Sequence, residues 1–531
     1  MSNGKLILLL CAVLILVGAS VVSLRPTQPA LMPATSLAAA SHQVRSTSAL
    51  PTHAFPADAL QADAATNFYV SPSGDNTDGR SWANAWSDLD RINWNVVQPG
   101  DTIILDGGAS QQIYSTTLTI GKSGLPDTPI TVRLSDEPGH DGKVIIDGGL
   151  TYWPCQATGP SPYTQNPPPG TRPYGLDLNG QSWIVVDGVK WGGIEIRNHN
   201  ITGVRFHKAT HVRLANLHIH HNTYPDVADG PGISISGDSI LLEKLEINNN
   251  GQDAIQGGDL TNFVLQDSYL HDHYCSHPDG IQLYRGQNRN ITIQRNVFTT
   301  GFLQAIFLGE QNPDLNSTTS DVHIFYNVIH NTRYGIVSNH MGNQNWQVFN
   351  NTIVDMDYDG ISLYASAGGM EVRNNILYNG GYNIQNGVES NNIFYKTPYF
   401  PGGQGSLNLD PQFVDKANGD YQLQASSPAI NAGIDVGLTS DFLRNIVPNG
   451  GGVDIGAFEY TPYVQTTATS TSASLTPTAT LPLTATMVPA SLTPTTTLPV
   501  STTPTVTSTL SLPWPPLHQN RSTVYLPNIC N

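Results

Sequence analysis

The densest run of chemically capable side chains is His271-Asp-His-Tyr-Cys-Ser-His-Pro-Asp-Gly-Ile-Gln-Leu-Tyr-Arg285, with three histidines, two aspartates and an arginine. Asp253 and Asp279 each stand just before a Gly-Ile or Ala-Ile pair. If these pairs mark successive turns of a coil, the two carboxylates are neighbours about 4.8 Å apart. Carboxylates that close suit a retaining glycosidase, a shared proton or a cation site, and Ca²⁺ is the ion they could take. Asp-Gly is also ordinary turn chemistry, and it recurs at Asp229-Gly230 and Asp359-Gly360.

Four places after each paired isoleucine come Asp259, Arg285, Glu310 and His340. An acid, a base, an acid and an imidazole on successive coils could contact a chain-like substrate laid along the coil axis. The same column also reads as a surface ion-pair ladder, which is worth little energetically. Gln256, Gln282 and Tyr284 should face outward on the same strands, where amides and aromatic faces suit sugar rings. His271 and His273, two apart, could face one way and take zinc. His220, His271 and His330 share a column of their own.

The elements that must position these residues come from a repeat. Ile233, Ile255, Ile281, Ile306, Ile336 and Ile361 recur at intervals of roughly 22–30 residues. Two places further on stand Ile235, Gly257, Leu283, Leu308, Ser338 and Leu363, which is strand alternation. A second column in step holds Ile219, Ile247, Leu270, Phe298, Ile329, Ile353, Leu377 and Phe394. Two residues before its later members stand Asn296, Asn327, Asn351, Asn375 and Asn392, which predict an internal amide ladder. Stacked short strands with like residues in register describe an all-β, parallel β-helix with right-handed crossovers. A solenoid needs caps, and the helical spacing of Trp82, Trp86, Leu89 and Ile92 predicts an N-terminal helical one.

Composition agrees with strands and turns. The 531 residues include 49 Gly and 37 Pro, and charged residues make up only 12%. The 24 Lys+Arg against 41 Asp+Glu give a net charge of −17, so a nucleic-acid partner is excluded. Lys5, the apolar run from Leu6 to Leu24 and then Arg25 read as a signal peptide or N-terminal anchor over 1–24. A disordered spacer over 25–66, a solenoid over 67–460, a Thr/Pro/Ser-rich linker over 461–514 and a C-terminal tail over 515–531 complete the chain. The expected location is secreted or cell-surface, with attachment through either end, and the expected state is a monomer.

Asn67-Phe-Tyr-Val-Ser-Pro-Ser-Gly-Asp75, Trp82 and Gln98-Pro-Gly-Asp-Thr102 resemble the entry to secreted right-handed β-helix proteins of the pectate-lyase-like superfamily. Asp410-Pro-Gln-Phe413, Ser427-Pro-Ala-Ile-Asn431 and Val453-Asp-Ile-Gly-Ala-Phe-Glu459 are similar to the closing segment of the same group. His277-Pro-Asp-Gly-Ile-Gln282 resembles a motif that recurs there, without matching the catalytic strings of its pectin hydrolase or pectate lyase branches. The resemblance spans roughly 67–460 and implies extracellular handling of a polysaccharide.

Two mechanisms and one inactive alternative follow. As a lyase, the protein would neutralise a uronate carboxylate with Ca²⁺ on Asp253 and Asp279, or with Arg285. Arg285, His277 or His271 would then remove the α-proton before β-elimination. An acidic chain repels a polyanion, so this mechanism needs a cation or a local basic patch, with Arg285, Arg295 and Arg333 as the nearby sources. As a hydrolase, Asp253 and Asp279 with Glu310 would supply acid and base or nucleophile. As a non-catalytic surface module, the polar columns would bind glycan alone. The lyase is put first.

Overall fold

Alternating apolar and polar residues favour strands, and strands are what form. The computed structural model describes residues 65–462 apart from 152, 154–167, 225–229, 276, 310–316, 341 and 365–368. The 1–24 segment, nearly all of the 25–66 spacer and the 461–514 linker, the 515–531 tail and Glu310 lie outside the described residues. Among the described residues the regular elements are β-strands and two single 3₁₀ turns, Leu89–Arg91 and Lys416–Asn418.

Two sheets build the solenoid, one of 20 strands and one of 11, and every pairing within them is parallel. A typical coil gives two strand pieces to the larger sheet and one to the smaller, as Asp279–Arg285, Gln287–Gln294 and Val297–Thr299 do. The expected ladders form. Ile233, Ile255, Ile281, Ile306, Ile336 and Ile361 pair in register and are fully buried. The second ladder, Ile219 through Phe394, stacks the same way on the smaller sheet. Each such side chain contributes about 1.5–3 kcal/mol by leaving water.

Before the ladder isoleucine Ile281, Gly280 is a steric requirement. A Cβ on Gly280 would lie 2.3 Å from the Ala305 carbonyl oxygen and 2.7 Å from the Phe298 ring. The short strands of the smaller sheet are bracketed by single left-handed residues. Asn216, Lys244, Asp267, Arg295, Tyr326, Asn350 and Asn374 precede them, and His221, Asn249, Asp272, Asn331, Asp355 and Asn379 follow. Asn and Asp tolerate this conformation better than other side chains, which explains their abundance.

The amide ladder is present and buried. Asn296 donates to Asn327 at 3.1 Å, Asn327 to Asn351 at 3.0 Å, Asn351 to Asn375 at 2.9 Å and Asn375 to Asn392 at 3.0 Å. A second, mixed ladder was not anticipated: His199, Asn222, Asn250 and His273 stack through 2.9, 3.0 and 3.4 Å contacts.

The N-terminal cap differs from its expected helix. Trp86, Leu89 and Ile92 are buried, but Trp86 forms a parallel bridge with Val70 and stacks on Phe68 at 5.0 Å, leaving one 3₁₀ turn. The aromatic ring is more useful covering the first coil than continuing a helix. At the other end the closing segment packs back over the smaller sheet. Phe413, Tyr421, Ala429, Val453, Ile455 and Phe458 cluster with Val297, Val328, Phe349, Val354, Ile376 and Ile393. Its contacts reach back to Asp267, which binds Arg444 at 2.5 Å.

Candidate functional site

Asp253 and Asp279 do stand on adjacent coils of one column, at the end of a strand. Both are fully buried. Asp253 Oδ1 accepts the Asp279 backbone N–H at 2.8 Å, and Asp279 Oδ1 accepts the Gln304 backbone N–H at 2.9 Å. Asp253 Oδ2 also accepts from Gln256 Nε2 at 2.8 Å, and the Gln304 side-chain amide lies against Asp279. The carboxylates thus stitch successive coils together.

Asp279 has a second neighbour. Its Oδ2 lies 3.7 Å from Nδ1 of His277, whose side chain is 53% exposed. His277 has φ +48, so the imidazole is carried out of the coil on a left-handed residue. Backbone hydrogen bonds run from Leu303 to Pro278, from Tyr334 to Leu303 and from Tyr358 to Arg333, so the coils beyond His277 present Gln304, Arg333 and Tyr334, then Tyr358. Tyr334 and Tyr358 stack at 4.9 Å and 13°, and the Arg333 guanidinium lies 5.3 Å from the Tyr358 ring. Burial and the nearby Tyr358 and Asp359 raise the Tyr334 phenol above its ordinary range.

The other anticipated residues are not all gathered here. Arg285 ends the strand that Asp279 begins, so six residues of extended chain, roughly 20 Å, separate them. Its guanidinium lies 5.3 Å from the Tyr284 ring and faces solvent. The expected Asp259–Arg285 register slips by one at an irregularity, so Arg285 pairs with Gly258. Gln256 donates to Gln282 at 3.3 Å, making an amide pair. His340 is half-exposed and accepts the Gly342 N–H through Nδ1 at 2.9 Å.

His271 and His273 do not face one way. Asp272, with φ +53, ends the alternation between them. His273 turns inward, fully buried, and donates to the His271 carbonyl at 2.9 Å. His271 turns outward on the smaller sheet, beside Asp272 at 2.8 Å and Glu246 at 3.5 Å. Burial works against its charge, but those two carboxylates win and raise its pKa.

This outer face carries a polar cluster of which the sequence reading found only the His220 and His271 column. Glu195, His218, Glu246 and Tyr269 form one column, and Arg197, His220, Asn248 and His271 the next. Lys143 and Arg197 bind Glu195 at 2.8 and 2.7 Å, and Trp191 donates to Glu246 at 3.0 Å. Burial opposes ionisation of Glu246, yet His271 and His218 bring it down to about 2. The signal was available: these are the residues on either side of the second ladder, alternating with it. The expected His220–His271–His330 column is real, but His330 is buried beneath Tyr421 of the closing segment.

Ca²⁺ takes six to eight oxygen ligands. The Asp253 and Asp279 oxygens are directed at amide N–H groups and at His277, so this pair does not fit a calcium cage.

The family described as "Right handed beta helix region" matches residues 183–377. No curated protein matches the chain significantly. Among solved structures, pectate lyase Pel9A is 18% identical with a TM-score of 0.53, covering 75% of this chain and 97% of its own. The complex of XylC with xylose is 11% identical, TM-score 0.48, covering 74% and 98%. Alginate lyase from Paenibacillus sp. is 13% identical, TM-score 0.34, covering 61% and 96%. The likeness to the first establishes the architecture: a pectate-lyase-like right-handed parallel β-helix.

Proposed function

We propose that this right-handed β-helix is an exported enzyme that cleaves a uronic-acid-containing polysaccharide by β-elimination, with His277 as the base. The observation that carries this reading is the half-exposed His277 imidazole backed by the buried Asp279 carboxylate at 3.7 Å. A carboxylate on the Nδ1 side would, once the 3.7 Å gap closes on substrate binding, hold the imidazole with Nε2 free to act as a general base. Catalytic contacts are often long in the free enzyme and shorten when substrate binds.

In the proposed step, His277 Nε2 takes the proton α to the sugar carboxylate. The electron pair forms the C4=C5 double bond as the C4–O glycosidic bond breaks, and the departing oxygen is protonated by solvent. Arg333 supplies the positive charge that stabilises the carboxylate as it takes up electron density. The stacked Tyr334 and Tyr358 offer a platform for a sugar ring further along the axis. Gln256, Gln282, Tyr284, Arg285 and His340 would contact flanking sugars.

Hydrolysis by the Asp253/Asp279 pair is less well supported, because both carboxylates are fully buried and engaged with backbone amides. Export is supported by Cys275, which is disulfide-bonded and so suits an oxidising compartment.

The test is the full chain incubated with uronate and neutral polysaccharides, with and without the calcium-selective chelator EGTA. New reducing ends and ultraviolet absorbance of unsaturated uronate are followed together. Both should rise, in the chelator as well, and both should be lost in His277→Ala. Reducing ends without absorbance would replace elimination with hydrolysis. Neither signal across a broad panel would leave a glycan-binding module.

A further inference from the structure

The geometry points to a zinc-class transition-metal site on the outer face of the smaller sheet, held by Glu195, His218 and His220. One ligand atom from each lies within 4.8 Å of the others. The backbone sets this up: His218 and His220 are two apart on the strand Leu217–His220, and Glu195 is the cross-strand partner of His218. All three side chains project from the same face, one coil apart.

The contact between His220 and Glu195 is the telling one. His220 Nε2 is buried and stands 3.3 Å from Glu195 Oε1, an ion-pair contact poorly aligned for a hydrogen bond. With Zn–N and Zn–O bonds of about 2.0–2.2 Å, two ligands of a tetrahedral ion stand roughly 3.3–3.5 Å apart. The separation is that of an ordinary ion pair and equally that of two ligands of one ion, so zinc could enter between them with little rearrangement. On its other side His220 Nδ1 lies 2.6 Å from His221 Nδ1, an outer partner able to fix the ring tautomer. Two imidazoles and one carboxylate select a first-row transition ion over calcium or magnesium.

Two cations compete for Glu195. Lys143 holds Oε2 at 2.8 Å and leaves Oε1 to the ion. Arg197 reaches Oε1 at 2.7 Å but also binds Asp147 at 2.8 Å, so it retains a carboxylate when the ion displaces it. Glu246 Oε1, 3.8 Å from His218 Nε2, adds negative charge nearby. The site shares no residue with the His277 surface and stands independently of the proposed elimination.

The test is metal binding by the full chain after stripping with a strong chelator and dialysis. Zinc is titrated by calorimetry, bound metal is counted, and cobalt(II) is substituted for its visible spectrum. The expected result is one zinc per chain and a four-coordinate cobalt spectrum. His218→Ala and His220→Ala should each weaken binding tenfold or more, as should Glu195→Gln, whose near-isosteric side chain keeps the fold intact. Arg197→Gln should bind zinc more tightly, since the competitor for Oε1 is gone. No zinc on the native chain, or unchanged affinity in both Glu195→Gln and the His218→Ala/His220→Ala double variant, would overturn the site.

Discussion

The Asp279 carboxylate serves two partners at once: Oδ1 accepts the Gln304 backbone N–H at 2.9 Å, and Oδ2 lies 3.7 Å from His277 Nδ1. Asp253, one coil earlier, makes the matching backbone bond to Asp279 but spends its other oxygen on Gln256. Two residues of one type, in one column and equally buried, are thereby distinguished. Asp253 links coils and holds Gln256, while Asp279 links coils and faces an exposed imidazole.

That difference predicts unequal effects from the same substitution. Asp279→Asn keeps an oxygen for the Gln304 N–H but removes the charge behind His277, so kcat should fall about 100-fold or more. Asp253→Asn should change kcat less than tenfold. Steady-state kinetics on a uronate polymer, with melting temperatures to verify folding, would decide. Equal losses in the two variants would remove Asp279 from its positioning role.

Arg333 and Arg285 can be separated in the same way. Arg333 is two coils from the His277 turn, while Arg285 is roughly 20 Å along the strand. A lost charge-assisted hydrogen bond is worth about 1.5–3 kcal/mol, roughly 10-fold or more in a binding or rate constant. Arg333→Ala should lower kcat/KM by at least that factor. Arg285→Ala should affect KM on long chains alone, leaving turnover of short oligosaccharides unchanged. A larger kcat loss in Arg285→Ala would move the reacting carbon to the other end of the strand.

How far the sequence was legible follows from what repeats. Ile233 to Ile361 and Asn296 to Asn392 could be read as columns because one residue type recurs where stacking demands it. The direction of a polar residue at a strand end was not legible. Asp272 interrupts alternation with a single left-handed residue, and that rotation sends His271 out and His273 in. Asp253 and Asp279 were read as a paired-carboxylate or cation site, but they sit where the chain turns the corner and needs acceptors for the next coil's N–H. The slip at Gly257/Gly258 displaced Arg285 by one place, which no residue count predicts. Glu195 and His218 were legible in principle, being outward neighbours of the second ladder. They escaped attention because the unlike residues Glu, His, Glu and Tyr fill their column.

The amide ladder should be a large local contributor to stability. Asn351 Nδ2 donates to the Asn375 side chain at 2.9 Å and to the Ile324 carbonyl at 2.8 Å, while its Oδ1 accepts the Asn327 N–H at 2.9 Å. Asn351→Ala strands buried polar groups on both neighbouring coils, each at about 1–3 kcal/mol, so about 3 kcal/mol or more should be lost. Denaturant unfolding of the two chains measures it. A loss below about 1 kcal/mol would mean that water or relaxation replaces the ladder bonds.

The closing segment should carry its own pH dependence. Asp441, Asp454 and Glu459 are buried together, with Glu459 accepting the Asn449 and Asp454 N–H groups at 2.9 and 3.0 Å. Burial, reinforced by Asp454 and Asp441, pushes the Glu459 carboxyl up to about 7, against an ordinary value near 4.5. Burial raises Asp441 and Asp454 as well. A carboxyl whose folded pKa is raised favours folding in its protonated form. Its contribution is therefore fully present below about pH 4.5 and is lost as the pH rises through about 7. Glu459→Gln holds the neutral form at every pH and should remove this slope. The melting temperature of the variant relative to the native chain should accordingly be near zero or negative at pH 4.5 and rise steadily to a positive difference at pH 8. Because Asp441 and Asp454 are coupled to Glu459, the difference reports the titration of this buried carboxyl cluster. A flat difference across that range would mean that the cluster does not hold a proton on Glu459 in the fold, its two backbone donors outweighing burial and its acidic neighbours.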